Sequence, residues 1–265
     1  MFADVTSANI VGYQENTMNA SANTMATATF LNVGDTKNFT LADLSVKGYV
    51  LPQFDEKGKL VKGTGTKGDF CLRLLDSTGD YEAQYYWVDY QKDVTAGWFL
   101  DKLGTSPISG GAASVTIKAG RGLWITGKGF KLVPSGAVNQ KLVQFETNGG
   151  TVNTAIGNCM PVDMTLDQFF VDGYTLPQFD EKGKLVKGTG TKGDFCLRLL
   201  DSTGDYEAQY YWVDYQKGVT AGWFKDKLGT TPIEGGAASV TITAGRGLWC
   251  TGKGYNLNIP APKID

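Results

Sequence analysis

No histidine occurs among the 265 residues. That absence removes imidazole acid–base chemistry, the Ser-His-Asp and Cys-His nucleophile arrangements, and His-ligated metal sites. No apolar run approaches the roughly 20 residues that a membrane-crossing helix needs, so no transmembrane segment is expected. Neither sign of charge is in excess. The 25 Lys and Arg against 27 Asp and Glu leave a formal net charge of −2, which offers no field for nucleic acid or an anionic membrane surface. Nothing long reads with helical period. The opening Met1–Tyr13 carries neither the charged segment nor the apolar core of a signal peptide, although Phe2-Ala3 ahead of Asp4 fits the small-residue end of a cleavage site.

What is present is glycine and aromatic side chains: 35 Gly, 12 Tyr and 6 Trp. Turn formers mixed with β-prone aromatics suit short strands joined by tight turns. The segment Leu51–Lys92 recurs without a difference as Leu176–Lys217, 42 residues each. Extended to Gly129 and Gly254 at the same offset of 125, only six pairs of 79 differ: Asp93/Gly218, Leu100/Lys225, Ser106/Thr231, Ser109/Glu234, Lys118/Thr243 and Ile125/Cys250. A period of 125 is far longer than a solenoid unit, so each copy is expected to pack its own core. The two units are set at 1–133 and 134–265, with Pro134-Ser135-Gly136 as a short, stiff junction.

Within a unit, "DFCLRLL", "DSTGD" and "YEAQYYWVDY" predict a hairpin turning at Asp76–Asp80, with Tyr81, Ala83, Tyr85 and Trp87 on one face. "FDEKGKLV" predicts a second hairpin around Gly58, and "ASVTIKAGRGLWITG" predicts strand, turn and strand. With about eight short strands per unit and no βαβ spacing, the expected fold is all-β: two tandem antiparallel β-sandwich or jelly-roll domains related by internal duplication.

Few motifs carry chemistry. "GTGTKG", Gly63–Gly68 and Gly188–Gly193, fits the letters of the dinucleotide fingerprint, but a strand follows it where the fingerprint needs a helix N-terminus. It reads as a hairpin loop. Asp76 and Asp80 flank a turn, where Asp is a favoured residue, and lack the dense acidic spacing of a calcium loop. No catalytic residue, cofactor or metal site is assigned, and the chain is read as a non-enzyme. Cys71 and Cys196, equivalent in the two copies, read as small buried hydrophobes. Cys159 and Cys250 exist only in the second copy, opposite Gly34 and Ile125 at the 125 offset. Their joint appearance predicts a Cys159–Cys250 disulfide and an oxidising compartment.

All six tryptophans lie in the duplicated blocks. Trp124 and Trp249, leading into strands from "RG", are expected in the cores. Trp98 and Trp223, in "TAGWF" beside a loop, are expected at the surface. Together with Tyr85 and Trp87 and their copies Tyr210 and Trp212, they are the candidate aromatics for protein contacts or for stacking on glycans. Asn19-Ala20-Ser21 and Asn38-Phe39-Thr40 fit the N-glycosylation sequon.

On "TSANIVGYQ", "FTLADLSVKGY" and "IKAGRGLWITG", the chain resembles a group of highly paralogous bacterial proteins of the envelope or extracellular space. The first unit carries the resemblance best; the second keeps "TITAGRGLWCTG" but not the "SANIVGY" opening. The resemblance implies tandem β-domains and an extracellular or cell-surface location, and it implies no activity. Duplication at a fixed angle suits a building block more than a reaction. The expected function is therefore a self-assembling structural subunit of a filament, surface layer or shell, whose partners are copies of itself. Its strand-like ends, "MFADVTSANIVGY" and "YNLNIPAPKID", would add to a neighbour's sheet edge. The alternatives are a tandem carbohydrate-binding module with glycan partners and a phage virion decoration protein.

Overall fold

The β-prone runs do form strands, and the computed structural model of the protein is all-β, built from several antiparallel sheets. It describes residues 11–13, 15–17, 23–31, 39–76, 80–127, 129–138, 141–147, 153–191, 193–201, 205–252 and 254–261. Among these, the helical pieces are four short 3-10 turns, including Leu41–Asp43 and Leu166–Gln168. No helix among the described residues is long and apolar enough to cross a membrane.

The strand Cys71–Leu75 lies centrally in the first half. It pairs with Tyr81–Val88 on one side and Gly122–Thr126 on the other, and Gly97–Phe99 and Asn23–Thr27 complete that sheet at its edges. In the second half Phe195–Leu200 takes the same place, between Tyr206–Val213 and Gly247–Thr251, with Gly222–Phe224 and Thr154–Gly157 at the edges. A further sheet in the first half gathers around Lys131–Val138. Its counterpart in the second half gathers around Asn256–Ile259.

Inward-facing residues from these sheets fill two separate clusters. One contains Phe39, Leu41, Phe70, Leu72, Ile117, Leu123 and Leu132; the other contains Leu166, Phe169, Phe195, Leu197, Ile242, Leu248 and Leu257. No residue belongs to both, and the divide falls between Val138 and Val143. Each such side chain contributes about 1.5–3 kcal/mol on burial, so each cluster is a sizeable stabilising unit in its own right.

The structure corrects several local expectations. Pro134-Ser135-Gly136 is not a linker. The strand Lys131–Val138 runs straight through it, with Pro134 opposite Leu44 and Ala137 opposite Val11, so the pairing of the first half extends beyond Val133 to Val138. The strand-like ends are already used within the chain. Val11–Tyr13 pairs with Ser135–Ala137, and Asn256–Ile259 is flanked on both sides, by Val143–Glu146 and Phe170–Asp172. Met1–Ile10 and Pro262–Asp265 lie outside the described residues.

The predicted hairpins form, with a consequential irregularity. Between Tyr81 and Ala83 the register slips, placing Tyr81 opposite Leu75 and Ala83 opposite Leu74. Because side chains alternate along a strand, a slip of one residue sends Tyr81 to the face opposite Ala83 and Tyr85. The same slip recurs at Tyr206, opposite Leu200, and Ala208, opposite Leu199.

The halves meet through reciprocal contacts. Ala26 bridges Arg246, and Ile156 bridges Arg121. The backbone N–H of Thr27 donates to the carbonyl of Gly245 at 2.9 Å. Gly247 packs against Met25 and Gly122 against Ala155 so closely that an added Cβ would lie 2.3 Å from Met25 Cγ in the first case and 2.7 Å from Ala155 Cβ in the second. At the centre the rings of Trp124 and Trp249 lie 5.8 Å apart, inclined at 44°.

Candidate functional site

The aromatic residues singled out from sequence are mostly interior, which reverses the expectation for the tryptophans. Trp98 and Trp223 are 6% and 7% exposed. Each indole N–H donates to a backbone carbonyl, Trp98 to Leu44 and Trp223 to Phe169, both at 2.7 Å. Trp98 also sits edge-on to Trp87 at 5.3 Å and to Phe70 at 5.9 Å; Trp223 repeats this with Trp212 and Phe195. "TAGWF" looks loop-like because Gly97–Phe99 is a short edge strand, but the strand's pairing with Val88 and Trp87 turns the indole inward. Tyr85 is buried, and Trp87, Tyr210 and Trp212 are half-buried, packed against the cores.

A polar tie runs behind these rings. Trp87 Nε1 donates to the Tyr49 hydroxyl at 3.0 Å, which donates in turn to Asp89 at 2.5 Å; Trp212, Tyr174 and Asp214 repeat it. Desolvation, followed by the hydrogen bond to Asp89, raises the Tyr49 phenol well above its ordinary range, so it stays a neutral donor. This arrangement ties the residues around Tyr49 to the end of the Tyr81–Val88 strand.

The "GTGTKG" segment is no phosphate cradle. Gly63, Gly65 and Gly68 all have positive φ, and a Cβ there would strike the Leu51 carbonyl, the Asp89 carbonyl and Lys102. Thr66 is fully buried, donating to the Trp87 carbonyl at 2.8 Å and accepting from Asp89 N–H at 3.1 Å. The glycines serve close backbone approach, and the loop is tightly held.

Asp76 and Asp80 close their turn on each other: Asp76 N–H donates to the Asp80 carbonyl at 2.9 Å, and Asp80 N–H donates to Asp76 Oδ1 at 3.1 Å. Residues 77–79 lie outside the described residues, as do Asn19 and Asn38 of the two sequons. No cluster of potential metal ligands occurs among the described residues.

The Cys159–Cys250 disulfide is contradicted: all four cysteines are free and buried. The register gives the reason. Thr154 lies opposite Cys250 and Gly157 opposite Gly247, and the ladder continues to Asn158 and Arg246. Cys159 therefore stands five residues along the ladder from the point facing Cys250, roughly 16 Å away, whereas a disulfide needs Cα atoms within about 7 Å. Nor is Gly34 the counterpart of Cys159. Gly157 faces Gly247 as Thr27 faces the equivalent Gly122, which makes Thr29 the counterpart. Burial pushes the Cys159 thiol up to about 12 and raises Cys250 well above its usual value, so both are inert thiols in the second core.

Two surface features went unnoticed in the sequence. The first is the apolar exposure at the predicted hairpin Gln53–Phe54 with Leu60–Lys62, whose neighbourhood exposes Leu51 (65%) and Val61 (61%), and again Leu176 (66%) and Val186 (62%) in the second half. The second is the junction itself. Leu75, Glu82, Lys118 and Arg121 of the first half face Phe145, Glu146 and Ala155 of the second across a cleft of about 620 Å³. Its main ions are internally satisfied, because Arg121 pairs with Glu82 and also donates to the Leu75 carbonyl. Comparison of the chain with protein-family models, curated proteins and solved structures finds no match.

Proposed function

We propose that the protein is a structural, self-assembling subunit of an extracellular or surface assembly, made of two tandem sandwich-type domains that arose by internal duplication. The observation that carries this reading is the pair of identical apolar hairpins. Leu51 and Val61 in one half and Leu176 and Val186 in the other are each more than 60% exposed, in a chain where most large apolar residues are buried. Large apolar side chains left in water on one hairpin favour a partner. Two copies per chain give each molecule two equivalent contacts, enough to build a linear or ring-shaped array from one chain type. The occupant of each patch is a second copy of this chain. The reciprocal packing at the junction supports the reading by holding the two patches in fixed relation. The resemblance to envelope proteins supports the location. The balanced charge and the lack of histidine favour neither nucleic-acid binding nor catalysis.

Light scattering and electron microscopy over a concentration series test the proposal. Wild type should form polymers, Leu51→Ser with Val61→Ser should give only small capped oligomers, and the same changes in both halves should give monomers. A wild-type monomer at about 1 mM, beyond the range of specific self-assembly, would overturn it.

A further inference from the structure

The junction carries a crevice of about 310 Å³ lined by Leu75, Asp80, Tyr81, Trp124 and Trp249. Each lining residue is placed by a feature already described. The register slip turns Tyr81 onto the outer face, leaving the residue 60% exposed at the rim. Trp124 and Trp249 are partly exposed at the meeting point of the halves, and their 44° inclination makes a V-shaped floor. Asp80 brings a carboxylate to the edge of the hairpin turn, and Arg73 lies behind Tyr81 with its guanidinium carbon 5.2 Å from the ring centroid.

We propose that this crevice is a binding site for a neutral oligosaccharide. A pyranose ring has an apolar C–H face and a rim of hydroxyls. The first packs on aromatic rings, and the second needs a charged or polar partner such as Asp80 beside them. A volume near 300 Å³ is at the small end of ligand sites, roughly one or two sugar rings. Three rings with a carboxylate would also suit a quaternary ammonium ion. The Arg73 guanidinium beside the Tyr81 ring disfavours a second cation there, and a choline titration separates the two. The rings are held before any ligand arrives, Tyr81 by Arg73 and the tryptophans by each other, which lowers the ordering cost of binding.

The duplication repeats the set. Arg198 lies 5.4 Å from the centroid of Tyr206, which is 59% exposed, and Arg198 is register-paired with Trp249 as Arg73 is with Trp124. One chain thus offers two half-sites on either side of the tryptophan pair, a layout for an extended glycan crossing the junction. This site is distinct from the Leu51/Val61 hairpin, so it stands or falls independently of self-assembly.

The test is calorimetric titration of the full chain with cellohexaose, chitohexaose, xylohexaose, mannohexaose and maltohexaose, with choline chloride as the cationic probe. At least one hexaose should bind; Tyr81→Ala should weaken it about tenfold and Tyr81→Ala with Tyr206→Ala more, while Tyr81→Phe should retain most of the affinity. Both tyrosines are exposed, and unchanged amide spectra of the variants will show that folding is intact. The proposal is overturned if no hexaose binds at about 10 mM, if the alanine variants bind as wild type, or if choline binds and the sugars do not.

Discussion

Trp98→Ala distinguishes a surface tryptophan from a core one and asks whether the two cores are independent. The substitution removes a side chain that is 6% exposed, two edge-on ring contacts with Trp87 and Phe70, and the donor to the Leu44 carbonyl. Truncating a buried Trp costs about 3–5 kcal/mol, and the upper half of that range applies because a buried carbonyl loses its partner. For a unit of this size the urea dependence is about 2 kcal/mol per M, so a loss near 4 kcal/mol moves a midpoint by about 2 M. Since no residue is shared between the two clusters, that shift should fall on one half only. Urea unfolding followed by far-ultraviolet circular dichroism and amide spectra should show two transitions, the earlier one from first-half residues. Trp223→Ala should give the mirror result at the same cost, because its environment is the same. Trp124→Phe, a change at the junction, should shift either transition by less than about 1 kcal/mol. A Trp98→Ala loss below about 1 kcal/mol, or a single transition displaced as a whole, would refute the core assignment or the independence of the cores.

Two further outcomes follow from the same geometry. Alkylation in denaturant followed by mass measurement should count four free thiols, with no reaction in the native state; a count of two would restore the Cys159–Cys250 bridge. At Asp226, desolvation pulls the carboxyl upward, but hydrogen bonds from Thr231, Leu228 and Thr230 outweigh it and hold it at about 2, below its ordinary 3.8. A folded-state value below the unfolded one makes the contribution full above 3.8 and progressively lost as pH falls towards 2, so local protection of the Asp226–Thr231 loop should weaken in that window. Amide exchange read at Leu228, whose N–H bonds Asp226 Oδ1 at 2.8 Å, should show it, and Asp226→Asn should abolish the pH dependence.

How far the sequence spoke depended on whether a feature was local. The "DSTGD" and "DEKG" turns were legible because their hydrogen bonds close within a few residues: Asp76 N–H to the Asp80 carbonyl, and Asp55 N–H to the Lys59 carbonyl with Gly58 at a φ of 78°. The all-β class was legible for the same reason. The tryptophans were misread because their fate is decided at long range. "TAGWF" has loop neighbours, but Trp98 finds its acceptor on Leu44, 54 positions away. "GLW" has strand neighbours, but the strand's outer face is covered only where the other half arrives. Cys71 and Cys196 were legible as buried side chains, but Cys159 and Cys250 were misread as a pair because their separation is set by the register of Thr154–Gly157 against Gly247–Thr251, which the spacing of the two cysteines in the sequence does not encode.

Glycine is where a better reading of the sequence was available. Gly122 and Gly247, in "RGLW", head strands and have ordinary φ, so no turn requires them. A glycine at the start of a strand with no conformational reason marks close approach of another backbone. Here the backbone comes from the opposite half: Ala155 against Gly122 and Met25 against Gly247. Both residues of the motif "RG" are thus spent on the junction, since Arg121 and Arg246 make the reciprocal bridges to Ile156 and Ala26. The side chains that contact them, Met25 and Ala155, differ and come from the unduplicated parts of the chain. Repeated strands therefore supply a common socket, and the diverged edge strands supply two different plugs. That division explains why two halves with a shared block pack in one fixed arrangement without being interchangeable, and it explains why the tryptophan pair and its crevice arise only where both are present.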